Sequence, residues 1–522
     1  MAMRLNLVNL DAMIKREDFA ASDIEAANFE QVGTISLRDF TEGGLIGPSL
    51  RKPDFQRETN HWEPEQVVSL LECFVNGDLI PSVILWQSPT YLFVIDGGHR
   101  LSVLRAWVED DFGDGPTSQP FFGYQISQEQ KRTAVRTREL VAERVGTWQH
   151  YKARSADNNL EVAERKKLNA VISRGLQIQW VRGDADKAES SFFKINTKGT
   201  PLDGIEELLL KSRRKPVAIA ARAIIRAGKG HRYWSAFDPA IAAEIERAAT
   251  SLHGSLFDPE IKTPIKTLDL PLGGPKGVRA ALQVLIDILL IAIRNQDGTP
   301  KGVEDLPDDA EGSLTLHVLN VTLNLVKRVT GNDGGSLGLH PAVYFYGPTG
   351  RHSGAMFMGT MTLIARKLAS NDKEFFKKFT KVRSSLEALL VDHKDLMATI
   401  LQKHVSGRRI ERYVTVLDET IAALAKGQKV EEADLVKFAG LDGKIVTGTS
   451  EDAPRKFSDD AKSQAFIQIA LQSSAKCPIC SGYLDTVKSV SYDHIQRAQD
   501  GGKATSKNVQ LTHPYCNQSV KN

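Results

Sequence analysis

CPICSGYLDTVKSVSYDHIQRAQDGGKATSKNVQLTHPYCNQSVKN, residues 477–522, is the stretch from which the rest of the chain is read. Cys477-x-x-Cys480 places two thiolates two residues apart, so that one tight turn can offer them to adjacent corners of a tetrahedron. His513-x-x-Cys516 repeats the spacing 33 residues after Cys480. Together the four make a Cys3His set of the kind that holds structural zinc. A lone redox Cys-x-x-Cys is the competing reading, and the second pair argues against it. The remaining cysteine, Cys73, lies on an apolar helix face and reads as core. Three of four cysteines gathered near a metal, behind an N-terminus with no apolar signal segment, point to a reducing, cytoplasmic compartment.

Between the two pairs stand Asp493-His494, Gly501-Gly502 and Asn508, with Asn517 directly after Cys516. That order resembles the HNH nuclease family, whose fold is the ββα-metal motif. The match covers about 45 residues, and its one departure is His513, where the family more often has Cys. Phosphodiester hydrolysis requires a deprotonated water on one side of phosphorus and a stabilised leaving oxygen on the other. A neutral histidine can take the water's proton near neutral pH. The resemblance implies His494 as that base. It also implies Asp493 and Asn517 as ligands of a catalytic Mg²⁺ or Mn²⁺, and Asn508 as a brace for the loop carrying His494. Neighbours on a strand face opposite ways, so Asp493 and His494 can act together only where the strand ends or bulges. Residues 463–522 hold six Lys or Arg against three Asp, a local positive charge suited to a phosphate backbone.

Outward from this cluster, Ser458-Asp459-Asp460 reads as a helix start, and residues 458–522 as the nuclease domain. Residues 427–457, charged and rich in Gly, Thr and Ser, read as a linker. Residues 211–426 form a mainly helical middle, with helical spacing over Leu282–Ile293, Leu314–Val329, Phe357–Ala369, Lys373–Val391 and Arg408–Ala425. Residues 1–210 are mixed. Ser82–Trp86 and Tyr91–Ile95 predict two strands and a turn, and Glu65–Phe74 and Leu101–Val108 predict helices. The expected class is a multidomain α+β protein: an α/β N-terminal domain, a helical middle and a zinc-stapled ββα-metal end.

Within residues 1–210, Asp96-Gly97-Gly98-His99-Arg100 sits between a strand and a helix. Consecutive glycines let backbone N–H groups approach a phosphate at a helix N-terminus. Taken with Phe55-Gln56-Arg57, Trp62 and Ile195-Asn196-Thr197-Lys198-Gly199, this text resembles the ParB/sulfiredoxin-like domain of modification-dependent restriction effectors. The resemblance implies nucleoside triphosphate binding, with Arg57, Asp96, Gly97, His99, Arg100, Asn196 and Lys198 as nucleotide or phosphate candidates. Gly98 departs from the family's usual Gln, which leaves hydrolysis open, and neither a sulfiredoxin cysteine nor a Walker-type loop is present. Lys211–Arg232 holds eight basic residues and no acid. Lys211, Arg213, Arg214 and Lys215 are its DNA-contact candidates, against the alternative of a solvated face.

Composition narrows the classes. The chain has 522 residues, 41% apolar, so wholesale disorder is excluded. Its formal charge is only +3, so a nucleic-acid surface must be local. The longest apolar run, Ala280–Ile293, is interrupted by Asp287 and is too short for a membrane span. The expectation is a metal-dependent endonuclease of the nicking type, regulated by an N-terminal domain that senses nucleotide or modified DNA, in anti-phage restriction. Its expected partners are modified or phage DNA, an NTP and a second copy of the chain, with no membrane. The rival readings are a ParB-like nucleotide-switched clamp that uses its zinc module only for grip, and an enzyme acting on RNA.

Overall fold

The computed structural model describes residues 7–17, 19, 32–53, 56, 59, 62–157, 159–183, 187–188, 191–192, 195, 204–228, 234, 237–274, 278–294, 302–443 and 457–521. The chain divides into two compact units. The first takes residues 1–213 with 229–233, and the second takes 214–228 with 234–522.

The first unit is built on a mixed six-stranded sheet of β1 (Arg16–Glu17), β2 (Thr34–Ser36), β3 (Leu50–Pro53), β4 (Val83–Gln87), β5 (Leu92–Asp96) and β6 (Gly175–Trp180), in the order β1-β3-β5-β4-β6-β2. The two strands predicted around the Gln-Ser-Pro turn are β4 and β5, an antiparallel pair with Trp86 opposite Phe93. Helix α1 (Pro64–Asn76) starts where proline is tolerated, at its first position. Glu63 and Gln66 close a reciprocal cap, and the helix ends on Gly77 in the left-handed region. Its Val67, Val68, Leu71 and Phe74 are fully buried, the apolar spacing that predicted it. Helix α2 (Gly98–Glu109) leaves β5 directly and buries Leu101, Val103, Leu104 and Trp107. Cys73, expected in the core, is only half-buried on α1.

The second unit is mainly helical. Its principal helices are α3 (Pro216–Ile225), α4 (Pro239–Phe257), α5 (Val278–Ala292), α6 (Ser313–Val329), α7 (Gly354–Ala369), α8 (Lys373–Asp392) and α9 (Arg409–Ala425). Each repeats apolar residues every three or four positions, as Val318, Leu319, Leu325, Val326 and Val329 do on α6. The sequence predicts a linker over 427–457, but the described part carries a helix, α10 (Glu432–Phe438), packed on α9. Val430, Leu435, Ala439 and Leu441 are buried there. Their apolar spacing is hidden in the sequence by the charges between them. Helix α11 (Asp459–Gln472) begins at Ser458, whose hydroxyl accepts from the Ala461 N–H. It leads to an antiparallel hairpin of β7 (Ser491–His494) and β8 (Val509–Thr512). Residues 458–522 fall within this second compact unit.

Candidate active site and metal centre

Cys477 and Cys480 flank a tight turn. The Cys477 N–H donates to Gly482 O at 2.9 Å, and the Ser481 N–H to Cys477 O at 2.7 Å. Strand β8 ends at Thr512, and His513 follows at once. Cys516 opens a five-residue π-helical turn, Cys516–Val520. The four donor atoms lie within 4.8 Å of one another, and all four residues are buried. His513 Nδ1 is 3.3 Å from Cys480 Sγ and 3.9 Å from Cys516 Sγ. A tetrahedral zinc with bonds of about 2.0–2.3 Å has donor separations of roughly 3.5 Å, so the set fits. The other ring nitrogen, Nε2, is 2.9 Å from Tyr483 O. An N–H there leaves Nδ1 with its lone pair facing the sulfurs, the tautomer a metal ligand needs. Three sulfurs this close compete for ionisation. Hydrogen bonding from its neighbours holds Cys477 low, and hydrogen bonding to Cys477 pushes Cys480 up to about 11. A divalent cation held by these residues would let all three sulfurs ionise.

Asp493 and His494 close β7, opposite Gln510 and Val509, and the chain bends away at Ile495. The strand therefore ends at the Asp493-His494 pair. Asp493 is 9% exposed. Its Oδ2 accepts from Lys521 Nζ at 2.6 Å and from Gln510 Nε2 at 2.8 Å. Burial alone raises this carboxyl's pKa, but the hydrogen bonds and charge of Lys521, with Gln510, outweigh it and hold the group below its ordinary value. Lys521 Nζ also donates to the His494 carbonyl. Asp493 is thus an ionised oxygen donor beside a second oxygen, both already facing one cation. That is the donor chemistry a hard divalent ion takes.

Asn508 ties the loop after His494 to β8. Its Oδ1 accepts from the Gln496 N–H at 2.8 Å, and its Nδ2 donates to the Gln496 and Lys503 carbonyls, each at 3.0 Å. Asn517 reaches the same strand from the other side, with Nδ2 donating to Ser491 Oγ at 2.8 Å. Its described side-chain contacts, Ser491 Oγ and the Tyr492 carbonyl, lie on residues before Asp493 and not on Asp493 itself. Lys503, Lys507 and Arg497 are exposed around the hairpin.

The helical body grips this module from behind. Arg383 is 1% exposed and donates to the Leu337 and Gly338 carbonyls at 2.5 and 2.9 Å, and to Glu387 at 2.7 Å. Arg383 packs so closely on Gly482 that a β-carbon there would stand 2.6 Å from its Nε. The Arg328 guanidinium lies over the Phe376 and Tyr515 rings. The Tyr515 N–H donates to Ser336 O at 2.9 Å, and Lys488 Nζ donates to Leu270 O at 2.6 Å.

In the first unit, Gly97 has φ +93°, and a β-carbon there would lie 2.6 Å from Val83 Cγ1, so glycine is required. The Gln56 amide packs 3.3–3.4 Å from where a Gly98 β-carbon would be. Gln56 is 8% exposed, and its carbonyl oxygen has no hydrogen-bond partner among the described residues. The His99 ring stacks on Trp62 at 5.4 Å. Arg100 turns back along the sheet, pairing with Asp96 at 2.8 Å and the Ser82 carbonyl at 3.1 Å. Both contacts use one Arg100 nitrogen, Nη2, while its buried Nε has no hydrogen-bond partner among the described residues. Arg57, Asn196 and Lys198 lie outside the described residues.

The described residues of the basic run differ in exposure. Lys211 pairs with Glu207 at 2.6 Å, and Lys215 pairs with Asp308 at 3.1 Å. Arg214 is exposed and Arg213 half-buried, while Arg222 is buried on α3. Lys229 and Arg232 are not among the described residues.

Sequence reasoning missed Lys521, Gln510 and the pair Arg383–Glu387. Lys521 lies five residues beyond Cys516, a reach that only the π-turn makes useful, and no spacing rule signals it. Arg383 and Glu387 read as an ordinary i, i+4 pair on a helix.

Comparison with known families agrees with this geometry. Residues 37–213 match the model of the GmrSD restriction endonuclease N-terminal domain, and residues 477–522 match the HNH endonuclease model. Together the two matches support a restriction endonuclease. The N-terminal match stops at Arg213, where the first compact stretch also stops. No curated protein and no solved structure matches the chain. No helix among the described residues is long and apolar enough to cross a membrane.

Proposed function

We propose that this chain is a DNA endonuclease of restriction, cutting one strand per visit through the β7–β8 hairpin. The observation that carries the reading is the juxtaposition of Asp493 and His494 at the end of β7, braced by Asn508 and stapled by the four-donor cluster. A binding module has no need of a half-buried histidine beside an ionised, buried aspartate.

In this reading His494 takes a proton from a water aligned with the scissile phosphorus. The resulting oxygen attacks phosphorus, and the bond from phosphorus to the 3′ oxygen breaks. A divalent cation such as Mg²⁺ or Mn²⁺, when bound, supplies stabilisation of the leaving oxygen. Asp493 and Asn517 would hold it, with the His494 carbonyl adjacent to Asp493. Asn508 keeps the loop after His494 fixed to β8, so the base does not drift from its line of attack. The zinc set Cys477, Cys480, His513 and Cys516 holds the module closed. Lys503, Lys507 and Arg497 supply sequence-independent phosphate attraction, with Lys211, Arg213, Arg214 and Lys215 as further DNA contacts.

Residues 1–210 act in the same reading as the ParB/sulfiredoxin-like sensor for nucleotide or modified DNA, which suits defence against phage. Support comes from the left-handed Gly97 turn, the Gln56 oxygen that has no partner among the described residues, and the Trp62–His99 stack. Arg100, held by Asp96, serves the turn's architecture before it serves a ligand. The test is incubation of the protein with Mg²⁺ and supercoiled plasmid, unmodified or variously modified, with and without each NTP. Nicking that is lost in His494→Ala supports the reading. DNA binding without cutting under every condition supports the clamp instead.

A further inference from the structure

We propose that Lys521 is a displaceable counter-ion of Asp493, competing with the catalytic divalent cation for the same carboxylate oxygen, so that metal loading requires Lys521 to leave. The proposal rests on the reading of Asp493 as a metal ligand. Lys521 Nζ stands 2.6 Å from Asp493 Oδ2 and also donates to the His494 carbonyl, so the chain's own ammonium sits among the oxygens that a hard cation would use. The pair is shielded: the side chains are 17% and 9% exposed. Solvent therefore screens it weakly.

The position of Lys521 is built from the main chain upward. Its N–H donates to Cys516 O at 3.1 Å, closing the π-turn, and its carbonyl accepts from Arg497. An α-turn from Cys516 would bring Val520 to this height, and Val520 is 44% exposed. The wider turn inserts one residue and puts a lysine there instead. Gln510 donates to the same Oδ2 at 2.8 Å, so that oxygen already carries two donors. A divalent ion bonds carboxylate oxygen at about 2.0–2.6 Å. Two cations on one oxygen would lie within about 4–5 Å of each other, where like charges repel strongly in a shielded site. The lysine, on a flexible stem, is the one that can move.

The test is Mn²⁺ binding to the full chain with its zinc in place, followed by electron paramagnetic resonance of the free ion. Parent, K521M, K521Q, K521R, D493N and D493N/K521M are compared, with zinc content and thermal unfolding as checks on folding. The neutral variants K521M and K521Q should bind Mn²⁺ about ten- to a hundredfold more tightly than the parent, the size of one charge-assisted hydrogen bond. K521R should stay near the parent, and D493N/K521M should lose the gain. If folded K521M and K521Q bind no more tightly while D493N weakens binding, the competition is overturned and Asp493 remains a ligand. If D493N changes nothing in either background, the metal-ligand reading fails, and the proposal with it.

Discussion

Glu387 Oε2 accepts the Tyr483 backbone N–H at 2.6 Å while Glu387 Oε1 takes Arg383 Nε at 2.7 Å and the Tyr344 hydroxyl at 2.9 Å, so one buried carboxylate joins helix α8 to the cysteine turn. Removing it strands the Arg383 guanidinium in the core. Glu387→Ala should cost about 3–5 kcal/mol of stability, the usual penalty for leaving a buried charge unpaired. Denaturant unfolding of the full chain checks this, and a loss under about 1 kcal/mol would show that the carboxylate does not hold the two elements together.

His494→Ala should abolish nicking without loss of fold, zinc or DNA binding. General-base catalysis contributes roughly 10²–10⁴-fold. Plasmid nicking beside a gel-shift assay measures both effects, and a variant that still cuts at the parental rate would end the proposed mechanism.

Cys477→Ser should remove the metal and with it the order of the hairpin, because a module this small depends on its staple. Metal analysis is expected to find about one zinc per parent chain and far less in the variant. Equal zinc in both would reject the Cys477, Cys480, His513 and Cys516 set.

Acid should weaken the second unit through His352. Burial lowers the pKa of this ring to about 4 from an ordinary 6.5, and its Nε2 faces Leu272 O at 2.7 Å. The folded state therefore keeps the ring neutral where the unfolded chain protonates it. The contribution is complete above about pH 6.5 and is lost as the pH falls towards 4. At 1.36 kcal/mol per pH unit the loss is roughly 3 kcal/mol. His352→Gln should flatten the acid side of the stability profile between those values, as read by thermal unfolding across pH. An unchanged slope would assign the acid sensitivity to other groups.

Gly97→Ala should destabilise the first unit. The residue sits at φ +93°, and its new methyl would meet Val83 Cγ1 at 2.6 Å. Strain in the left-handed region and overpacking each cost about 1–3 kcal/mol. Equal melting of parent and variant would show that the turn relaxes freely.

The sequence made some of this legible and concealed the rest, for physical reasons. Periodicity located α1, α2, α6 and α8 to within a few residues, because each buries a regular stripe. The β4–β5 pair was visible because β-branched and aromatic runs flank a proline turn. The Cys3His cluster was visible because the donor types and spacings are narrowly constrained by one ion. Helix α10 was not, because its buried Leu435 and Ala439 stand among charges that resemble a linker. The pairing of Arg100 with Asp96 was missed because an arginine near glycines reads equally as a phosphate ligand or a strut. Lys521 escaped because its partner depends on a π-turn, which leaves no periodic trace.

The grip of α8 on the cysteine turn bears on how such a nuclease can be exchanged between proteins. Residues 477–522 look like a cassette, yet the turn borrows the Glu387 carboxylate, the fit of Gly482 against Arg383, and the Ser336 carbonyl that receives Tyr515. A graft cut at residue 458 would carry the metal ligands and leave behind their outer wall. A splice between α8 and the hairpin divides a single core, and one that keeps α8 alone still leaves behind the Ser336–Gly338 and Leu270 segments on which the hairpin leans.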